Sequence, residues 1–296
     1  MKTLNWVFFP ASAHAIREVG PLCRSVNRWA PGTGLVPLIY RKDRRRPELH
    51  KLVTDCGGLH PWIAPKNTRR LQKAVLRVAA WAGLQKIPYP RVSSHLQRLV
   101  RGSLHITLER FFSALDFLRA KMGPEDALMI CDGRDVVLQA DPFCQIGDRL
   151  STGQEETMVE KCPTNSGWIR DLYGDSVARN LSPKPILCSG VSLGKRKPMQ
   201  DYLEAMSREI WRLFPRIGVR GYFDQAVHNW VIHGLGHPVE PTLSEQGRIA
   251  TLGLMAPHRI AWDESQSSVA VYGKTPAIVH QYDRHPAMNE KIAARI

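Results

Sequence analysis

The feature that most constrains the fold is a short apolar run that ends in two acids. Residues Ala127 to Cys131 are all apolar, and residues 132–135 (Asp-Gly-Arg-Asp) follow directly. A continuous apolar run of this length predicts a central strand. In an open α/β sheet, ligands bind beyond the carboxyl ends of the strands. Asp132 and Asp135 are therefore expected where such a sheet binds its ligand.

Strand and helix patterns alternate around this run. Strands are predicted at residues 4–9, 35–40, 59–64, near 158, 186–193 and 277–280, and helices at 13–29, 47–56, 67–83, 168–173, 198–214 and 223–233. The clearest helix has Ser103 as its predicted cap and ends at Gly123-Pro124; its apolar positions are Leu104, Leu108, Phe111, Leu115, Leu118 and Met122. Residues 87–101 are predicted to be a loop or lid. The alternation predicts an α/β fold with a mainly parallel sheet flanked by helices, in a single domain.

The positive charge is concentrated in the first part of the chain. The net charge is +14, with +15 in residues 1–125 and −1 in residues 126–296. Residues 41–101 hold fifteen bases and three acids, which suits nucleic acid, an anionic membrane leaflet or an acidic glycan. The helix beginning at Asn67 fits the leaflet best, because it pairs an apolar face with Lys and Arg. No nucleic-acid-binding motif accompanies it, so nucleic acid is not an expected partner.

The cysteine pattern and the N-terminal segment indicate the compartment. Six cysteines are scattered without a Cys-x-x-Cys pair, which favours a reducing environment. The apolar stretch at residues 4–9 ends at Pro10 and is predicted to be a core strand rather than a signal peptide. We therefore expect a cytoplasmic protein, with peripheral association at the inner face of a membrane through the basic region.

The two aspartates are suited to binding a hard divalent cation. Carboxylate oxygens that leave coordination positions open for phosphate oxygens fit Mg²⁺ or Mn²⁺ bound with a diphosphate. Arg134 between them offers a planar fork of donors to phosphate. On spacing alone, two aspartates in a turn are more often solvated residues or helix caps. The sequence that flanks them favours the metal-binding interpretation instead.

Four segments in order carry a resemblance to a family. Residues 132–143 (DGRDVVLQADPF) resemble the acidic metal motif of nucleotide-sugar-dependent glycosyltransferases with the GT-A fold. Residues 188–194 (CSGVSLG) resemble the strand that approaches the donor sugar in that family. Residues 221–229 (GYFDQAVHN) resemble the helix start of glycogenin-like and related retaining transferases, and residues 277–283 (AIVHQYD) the late histidine segment that closes the metal site.

The resemblance implies a GT-A-like domain and an activity. Residues 1–125 would form the nucleotide-binding half, with a basic helical insertion at about 66–101, and residues 126–296 the metal, sugar and acceptor half. The implied enzyme is metal-dependent and uses Mn²⁺ or Mg²⁺. It would transfer a sugar from a nucleoside-diphosphate donor, a UDP-sugar, to a hydroxyl of a glycan or lipid-linked saccharide acceptor, with retention at the anomeric carbon.

The resemblance also assigns roles to particular residues. Asp135 and His280 are implied metal ligands, and Asp224 and Gln225 belong to the sugar-transfer site. Arg134, Ser189 and Gly190 are expected to contact the donor. Asp132 is a further ligand, or a contact to the ribose or through water, because the acids are three apart where the family motif has them two apart.

Each assignment has a structural alternative. Asp224 could be a helix cap, Ser189-Gly190 a tight turn between strands, and His280 a surface or hydrogen-bonded residue. His228, His233 and His237 do not share one helical face and are predicted to be structural. For the whole chain, the alternatives are a basic nucleic-acid or membrane-surface binding protein with structural aspartates, and a metal-dependent phosphoesterase.

Overall fold

The computed structural model describes residues 3–11, 18–56, 60–66, 69–144 and 146–295, without the side chains of residues 50, 53, 54, 69 and 70. The strands are β1 (Asn5–Pro10), β2 (Gly34–Tyr40), β3 (Trp62–Ala64), β4 (Ala127–Cys131), β5 (Val136–Leu138), β6 (Leu150–Met158), β7 (Pro185–Lys195), β8 (Val239–Leu243), β9 (Ile249–Thr251), β10 (Ile260–Asp263), β11 (Ser268–Val271) and β12 (Ile278–His280). The α-helices are α1 (Gly20–Trp29), α2 (Pro47–Cys56), α3 (Arg69–Trp81), α4 (Ser94–Arg101), α5 (Ile106–Lys121), α6 (Pro163–Tyr173), α7 (Asp175–Leu181), α8 (Arg196–Ile217), α9 (Asp224–Asn229) and α10 (Pro286–Arg295).

Seven strands form the central sheet in the order β3-β2-β1-β4-β7-β6-β8. The first four strands of that order run parallel to one another, whereas β7 is antiparallel to both β4 and β6. A smaller sheet has the order β5-β12-β9, and β10 and β11 form a hairpin. This is the mainly parallel α/β sheet that the alternating pattern predicted, and the apolar run at Ala127–Cys131 is β4, buried at all five positions.

Side chains alternate across the central sheet and form a core on each side. In β1, Phe8 packs on the side of α5 and α8, while Val7 and Phe9 pack on the side of α1 and α2. A strand that alternates between two cores must be apolar at successive positions, because both of its faces are buried. The unbroken apolar runs in β1, β2 and β4 follow from this two-sided burial.

Helix α5 lies across the β1–β3 half of the sheet and is covered by α8. Its predicted apolar positions are all buried, but so are Glu109, Arg110 and Ser113, because α5 is enclosed on nearly every side. No helix of the described residues, including the 22-residue α8, is long and apolar enough to cross a membrane.

The structure corrects three local predictions. Residues 87–101 are not a loop, because residues 94–101 form α4. The cap of α5 is His105, whose side chain accepts from the Thr107 backbone N–H, rather than Ser103. The apolar run at 186–193 is not interrupted, because it lies within one continuous strand, β7. The proposed cap Asn67 lies outside the described residues.

Candidate functional site

Asp132, Asp135 and His280 come together at the carboxyl end of β4. One potential ligand atom from each of them lies within 4.8 Å of those of the other two. The His280 Nε2 atom is 3.5 Å from Asp132 Oδ2 and 3.9 Å from Asp135 Oδ2. The structure thus joins all three predicted metal ligands across nearly 150 residues of sequence.

Strand pairing explains why these three side chains meet. Asp132 directly follows β4, and Asp135 directly precedes β5. Strand β12 pairs antiparallel with β5 in a register that places His280 opposite Val136, the residue after Asp135. The Gln281 N–H then donates to the Asp135 carbonyl at 2.8 Å, which continues the pairing past the end of β12.

Gly190 in β7 makes room for this cluster. The Asp132 N–H donates to the Gly190 carbonyl at 2.8 Å, which extends the β4–β7 pairing into the site. A Cβ atom on Gly190 would lie 2.5 Å from His280 Nε2 and 2.9 Å from Asp132 Oδ2. Only glycine therefore permits this approach without displacing both side chains. The alternative interpretation of Ser189-Gly190 as a turn between strands is wrong.

Gly133 explains the unusual spacing of the acids. A Cβ atom at this position would lie 2.6 Å from the Pro10 carbonyl oxygen and 2.8 Å from Val19 Cγ1. No side chain fits there, so an acid two residues before the last aspartate would clash with the backbone of β1. Asp132, one residue earlier, supplies the carboxylate that faces His280 instead.

His280 lies in a buried, polar environment between Cys188 and the two aspartates. Its Nδ1 atom lies 3.5 Å from Cys188 Sγ, and its buried Nε2 atom has no hydrogen-bond partner among the described residues. Burial opposes its charged form, but the neighbouring Cys188 and Asp135 raise the pKa of His280 well above the usual value. A ring nitrogen this close to two carboxylates fits, in its neutral form, a divalent ion such as Mn²⁺, which accepts oxygen and imidazole ligands. His280 is fully buried, so it is not a surface residue, and its Nδ1 atom has Cys188 Sγ as a hydrogen-bonding neighbour.

The two carboxyl groups differ in their electrostatic surroundings. Burial would raise the pKa of Asp132, but Arg110 and His280 hold it well below its usual range. Burial raises the pKa of Asp135, and His280 only partly opposes this. Asp132 is thus fixed in its ionised form by the protein, whereas Asp135 lacks an equivalent arginine and would gain most from a cation beside it.

Arg110 on α5 organises the acids of the site, and the sequence interpretation missed it. Its guanidinium is fully buried and forms an ion pair with Asp132 through Nη1. Its Nη2 atom donates to Asp224 Oδ2 at 3.0 Å and to the Ser189 carbonyl at 3.0 Å. A buried guanidinium must be paired, and here it links the end of β4, the middle of β7 and the start of α9.

A signal for Arg110 is present in the sequence. Helix α5 has apolar residues on every face, and this pattern predicts that the whole helix is buried. The adjacent Glu109 and Arg110 would then need partners. Glu109 pairs with Arg101 at 2.7 Å, and Arg110 pairs with the site.

Asp224 and Gln225 begin α9 beside Arg110. Asp224 Oδ1 accepts the Gln225 N–H at 2.8 Å, and burial raises the pKa of Asp224 to about 6 against the opposing effect of Arg110. The Gln225 amide accepts from the Ser189 N–H at 2.8 Å and from its hydroxyl at 2.9 Å, and donates to the Leu187 carbonyl at 3.0 Å. Gln225 therefore holds α9 against β7 at Leu187 and Ser189.

The other predicted residues lie at the rim of the site or away from it. The Arg134 side chain is 55% exposed and donates to Asp283 Oδ2 at 3.0 Å, outside the cluster. His228 is fully buried, with its Nδ1 atom 2.7 Å from the Tyr202 hydroxyl, and does not reach the cluster. The prediction that His228 is structural agrees with this position.

Comparisons with known proteins bear on the fold. No protein-family model and no curated protein matches the chain. A solved structure of the galactosyltransferase LgtC in complex with donor and acceptor sugar analogues is 14% identical, covers 98% of this chain and 95% of that one, and has a TM-score of 0.49. A structure of an active-site mutant of LgtC is 13% identical, with the same coverages and a TM-score of 0.50. This likeness confirms the predicted GT-A-like α/β fold.

Proposed function

We propose that this protein is a metal-dependent glycosyltransferase that uses a nucleoside-diphosphate sugar. The observation that carries the proposal is the cluster of Asp132, Asp135 and His280, with the unpaired Nε2 atom of His280 directed at both carboxylates. The GT-A-like fold, which the chain shares with the galactosyltransferase LgtC, supports the class of enzyme. The four motifs in order support the nucleotide-sugar donor, for which we propose a UDP-sugar.

Asp132, Asp135 and His280 would hold Mn²⁺ or Mg²⁺, and Asp132, with a side chain 35% exposed, is the most accessible of the three. Such an ion acts as a Lewis acid on the leaving diphosphate. Arg110 keeps Asp132 ionised and in position, and Gly190 leaves the space that both side chains need. Arg134 is half-exposed at the rim of the site. Its guanidinium would donate to the diphosphate after leaving its ion pair with Asp283.

Asp224 and Gln225 belong to the proposed sugar-transfer site. Transfer breaks the bond between the anomeric carbon and the diphosphate oxygen, forms a bond to the acceptor hydroxyl oxygen, and releases the hydroxyl proton. Asp224, next to Arg110, is placed to hold the donor sugar, while Gln225 and Ser189 set the position of β7 against it. We propose retention at the anomeric carbon and a glycan or lipid-linked saccharide acceptor.

The proposal also includes the division of the chain and its location. Residues 1–125 would form the nucleotide-binding half, with the basic insertion at about 66–101, and residues 126–296 the metal, sugar and acceptor half. A cytoplasmic protein with peripheral attachment to the inner face of a membrane is consistent with the charge on the insertion.

A donor-hydrolysis assay tests the function. Purified protein is incubated with a panel of nucleotide sugars, with Mn²⁺ or with EDTA, and release of the nucleoside diphosphate is measured. We expect turnover of a UDP-sugar only with a divalent cation, and a loss of at least about 100-fold in Asp135→Ala, since a lost catalytic electrostatic contact is worth roughly that much.

Asp171→Ala is the matched control, because Asp171 is exposed and forms no ion pair within the described part of the chain. It is expected to retain full turnover. The proposal fails if no donor is bound or turned over and Asp135→Ala behaves like the control. Turnover of simple phosphate esters in place of nucleotide sugars would instead support a phosphoesterase.

A further inference from the structure

The outer surface of the insertion exposes an unusual number of large apolar side chains. We call this surface the 69–101 face; its exposed apolar members are Leu71, Val78, Trp81, Ile87, Leu96 and Leu99. Trp81 is 89% exposed and Val78 63% exposed. These six are nearly half of the thirteen large apolar side chains exposed in the described part of the chain, within about a tenth of its length. Patches of this kind mark interaction surfaces.

Helix α3 has two apolar faces with different surroundings. Its inner face, with Leu76 and Ala79, is buried in the core beside α8. Its outer face carries Leu71, Val78 and Trp81 into solvent. The inner face already anchors the helix to the domain, so packing within this chain leaves the outer side chains without a role.

The 69–101 face is positively charged throughout. Residues 66–101 contain nine bases and no acid. Five of those from Lys73 onward are exposed, namely Lys73, Arg77, Lys86, Arg91 and Arg98, whereas Arg101 is buried and paired with Glu109. On α3, Lys73 and Arg77 flank the outer apolar strip, since they lie between it and the buried face on the helical wheel. This is the pattern of a helix that lies in a membrane interface with its apolar side chains inserted.

A basic cavity of about 1100 Å³ adjoins the face at α4. Its charged lining residues are Arg41, Lys42, Lys66, Arg98, Arg101 and Asp116, and the Asp116 carboxylate is paired with Arg101 at 2.8 Å. Arg41, Lys42 and Arg98 form no ion pair with any described residue. Unpaired cations around an open cavity next to an apolar surface suit the phosphate of a lipid headgroup.

We propose that the 69–101 face docks on an anionic lipid leaflet, with the apolar side chains inserted at headgroup depth and the adjoining cavity receiving an anionic headgroup. The inference deepens, and rests on, the peripheral attachment that is part of the proposed function. It names the surface, the lipid class and the orientation. Trp81 is the main anchor, because tryptophan is favoured at the membrane–water interface.

Two other occupants fit the surface less well. A second copy of the chain, related by a two-fold axis, would place like charges against one another, because the face carries no acid to pair with its own bases. Nucleic acid would use the bases, but a phosphate backbone gives no partner to six exposed apolar side chains. A lipid leaflet satisfies both the charge and the apolar residues.

Vesicle flotation tests the inference without any donor or acceptor present. The full chain is mixed with phosphatidylcholine vesicles or with vesicles containing phosphatidylglycerol at about one third. We expect recovery with the anionic vesicles only, decreasing as salt rises because the attraction is screened. Leu71→Ser/Trp81→Ser is expected to weaken the partition coefficient at least about tenfold, as two interfacial apolar contacts are lost.

Leu235→Ser is the matched control, because Leu235 is 56% exposed and Leu71 is 55% exposed, but Leu235 lies outside the face. It should float as the unchanged protein does. Lys42→Glu/Arg98→Glu, at the cavity, should remove the preference for anionic vesicles. Thermal unfolding of each variant confirms that these surface changes leave the fold intact.

Three results would overturn the inference. The first is equal recovery of the protein with neutral and anionic vesicles. The second is that Leu71→Ser/Trp81→Ser floats as well as Leu235→Ser does. The third is that the protein forms a dimer in solution and that Leu71→Ser/Trp81→Ser dissociates it. Because flotation needs no turnover, loss of membrane binding and loss of transferase activity are measured independently. The variants of the face should retain the donor hydrolysis of the unchanged protein.

Discussion

Gly190 shows how one missing side chain determines whether the site can form. It lies in the middle of β7, where the backbone runs against His280 and Asp132. The motif CSGVSLG was interpreted as a strand that approaches the donor sugar. In the structure, the glycine is needed first for the close approach of the strand to His280 and Asp132, two of the proposed metal ligands.

Gly190→Ala is predicted to disable metal binding with a modest loss of stability. The added methyl group would meet His280 Nε2 at 2.5 Å, so the ring must move out of reach of the carboxylates. Overpacking of this kind costs about 1–3 kcal/mol of unfolding free energy. Mn²⁺ titration followed by calorimetry should show an affinity at least about tenfold weaker, and chemical denaturation should show the change in stability.

Gly167→Ala in α6 provides the comparison. A Cβ atom at Gly167 meets nothing within 4 Å, so alanine there is expected to stabilise the helix by about 0.5–1 kcal/mol and to leave Mn²⁺ binding unchanged. If Gly190→Ala binds Mn²⁺ as tightly as Gly167→Ala does, the role assigned to Gly190 is wrong.

At the scale of elements, Trp211 on α8 anchors the turns between α3 and α4 to the core. Its indole N–H donates to the Leu84 carbonyl at 3.0 Å and to the Ile87 carbonyl at 3.1 Å. Its ring is buried beside Tyr89 and Phe214. One side chain therefore fixes the turns that connect α3 to α4.

Trp211→Ala is predicted to lower the unfolding free energy by about 3–5 kcal/mol, as expected for a large aromatic residue removed from a core. It should also open residues 84–91 to limited proteolysis. Trp211→Phe retains the ring but leaves two carbonyls without their donor, and should cost less, about 1–3 kcal/mol. Equal stability of the alanine variant and the unchanged protein would contradict this account of the attachment.

Most elements with a clear apolar pattern could be predicted, and the failures have physical causes. Residues 87–101 were predicted to be a loop because they contain two prolines and show little periodicity over the whole stretch. Pro88 and Pro90 both precede α4, whose inner side carries Val100 and Arg101 while Leu96 and Leu99 face solvent. Arg101 pairs there with Glu109 on α5. Strand β7 was expected to break at Ser189-Gly190, since small residues within a strand also indicate a turn.

The candidate site was predictable in its ligands but not in its support. Asp132 follows β4, Asp135 precedes β5 and His280 ends β12, and the order of the motifs led to their assignment as proposed ligands. Arg110 was missed because its partners lie 22 and 114 residues away and no local pattern encodes such pairs. The space at Gly133, which explains the spacing of the acids, depends on the packing of β1 and is likewise absent from the local sequence.

In the whole molecule, the excess positive charge and the proposed metal site belong to different parts of the chain. The positive excess of residues 1–125 includes the 69–101 face and its adjoining cavity, while the cluster of Asp132, Asp135 and His280 belongs to the near-neutral remainder. The central sheet connects them, since β1 to β3 carry the basic half and β4 and β7 lead into the cluster. In the proposed function, one surface holds the protein at a lipid leaflet and the other performs transfer.

The most direct test of the central claim is calorimetric titration of UDP into the protein with Mn²⁺ or with EDTA. We predict binding that requires Mn²⁺ and weakens at least about tenfold in Asp135→Asn, with Asp171→Asn as the unaffected control. Binding of UDP that is equal with Mn²⁺ and EDTA, and unchanged in Asp135→Asn, would contradict the assignment of Asp132, Asp135 and His280 as the metal site for a nucleotide sugar.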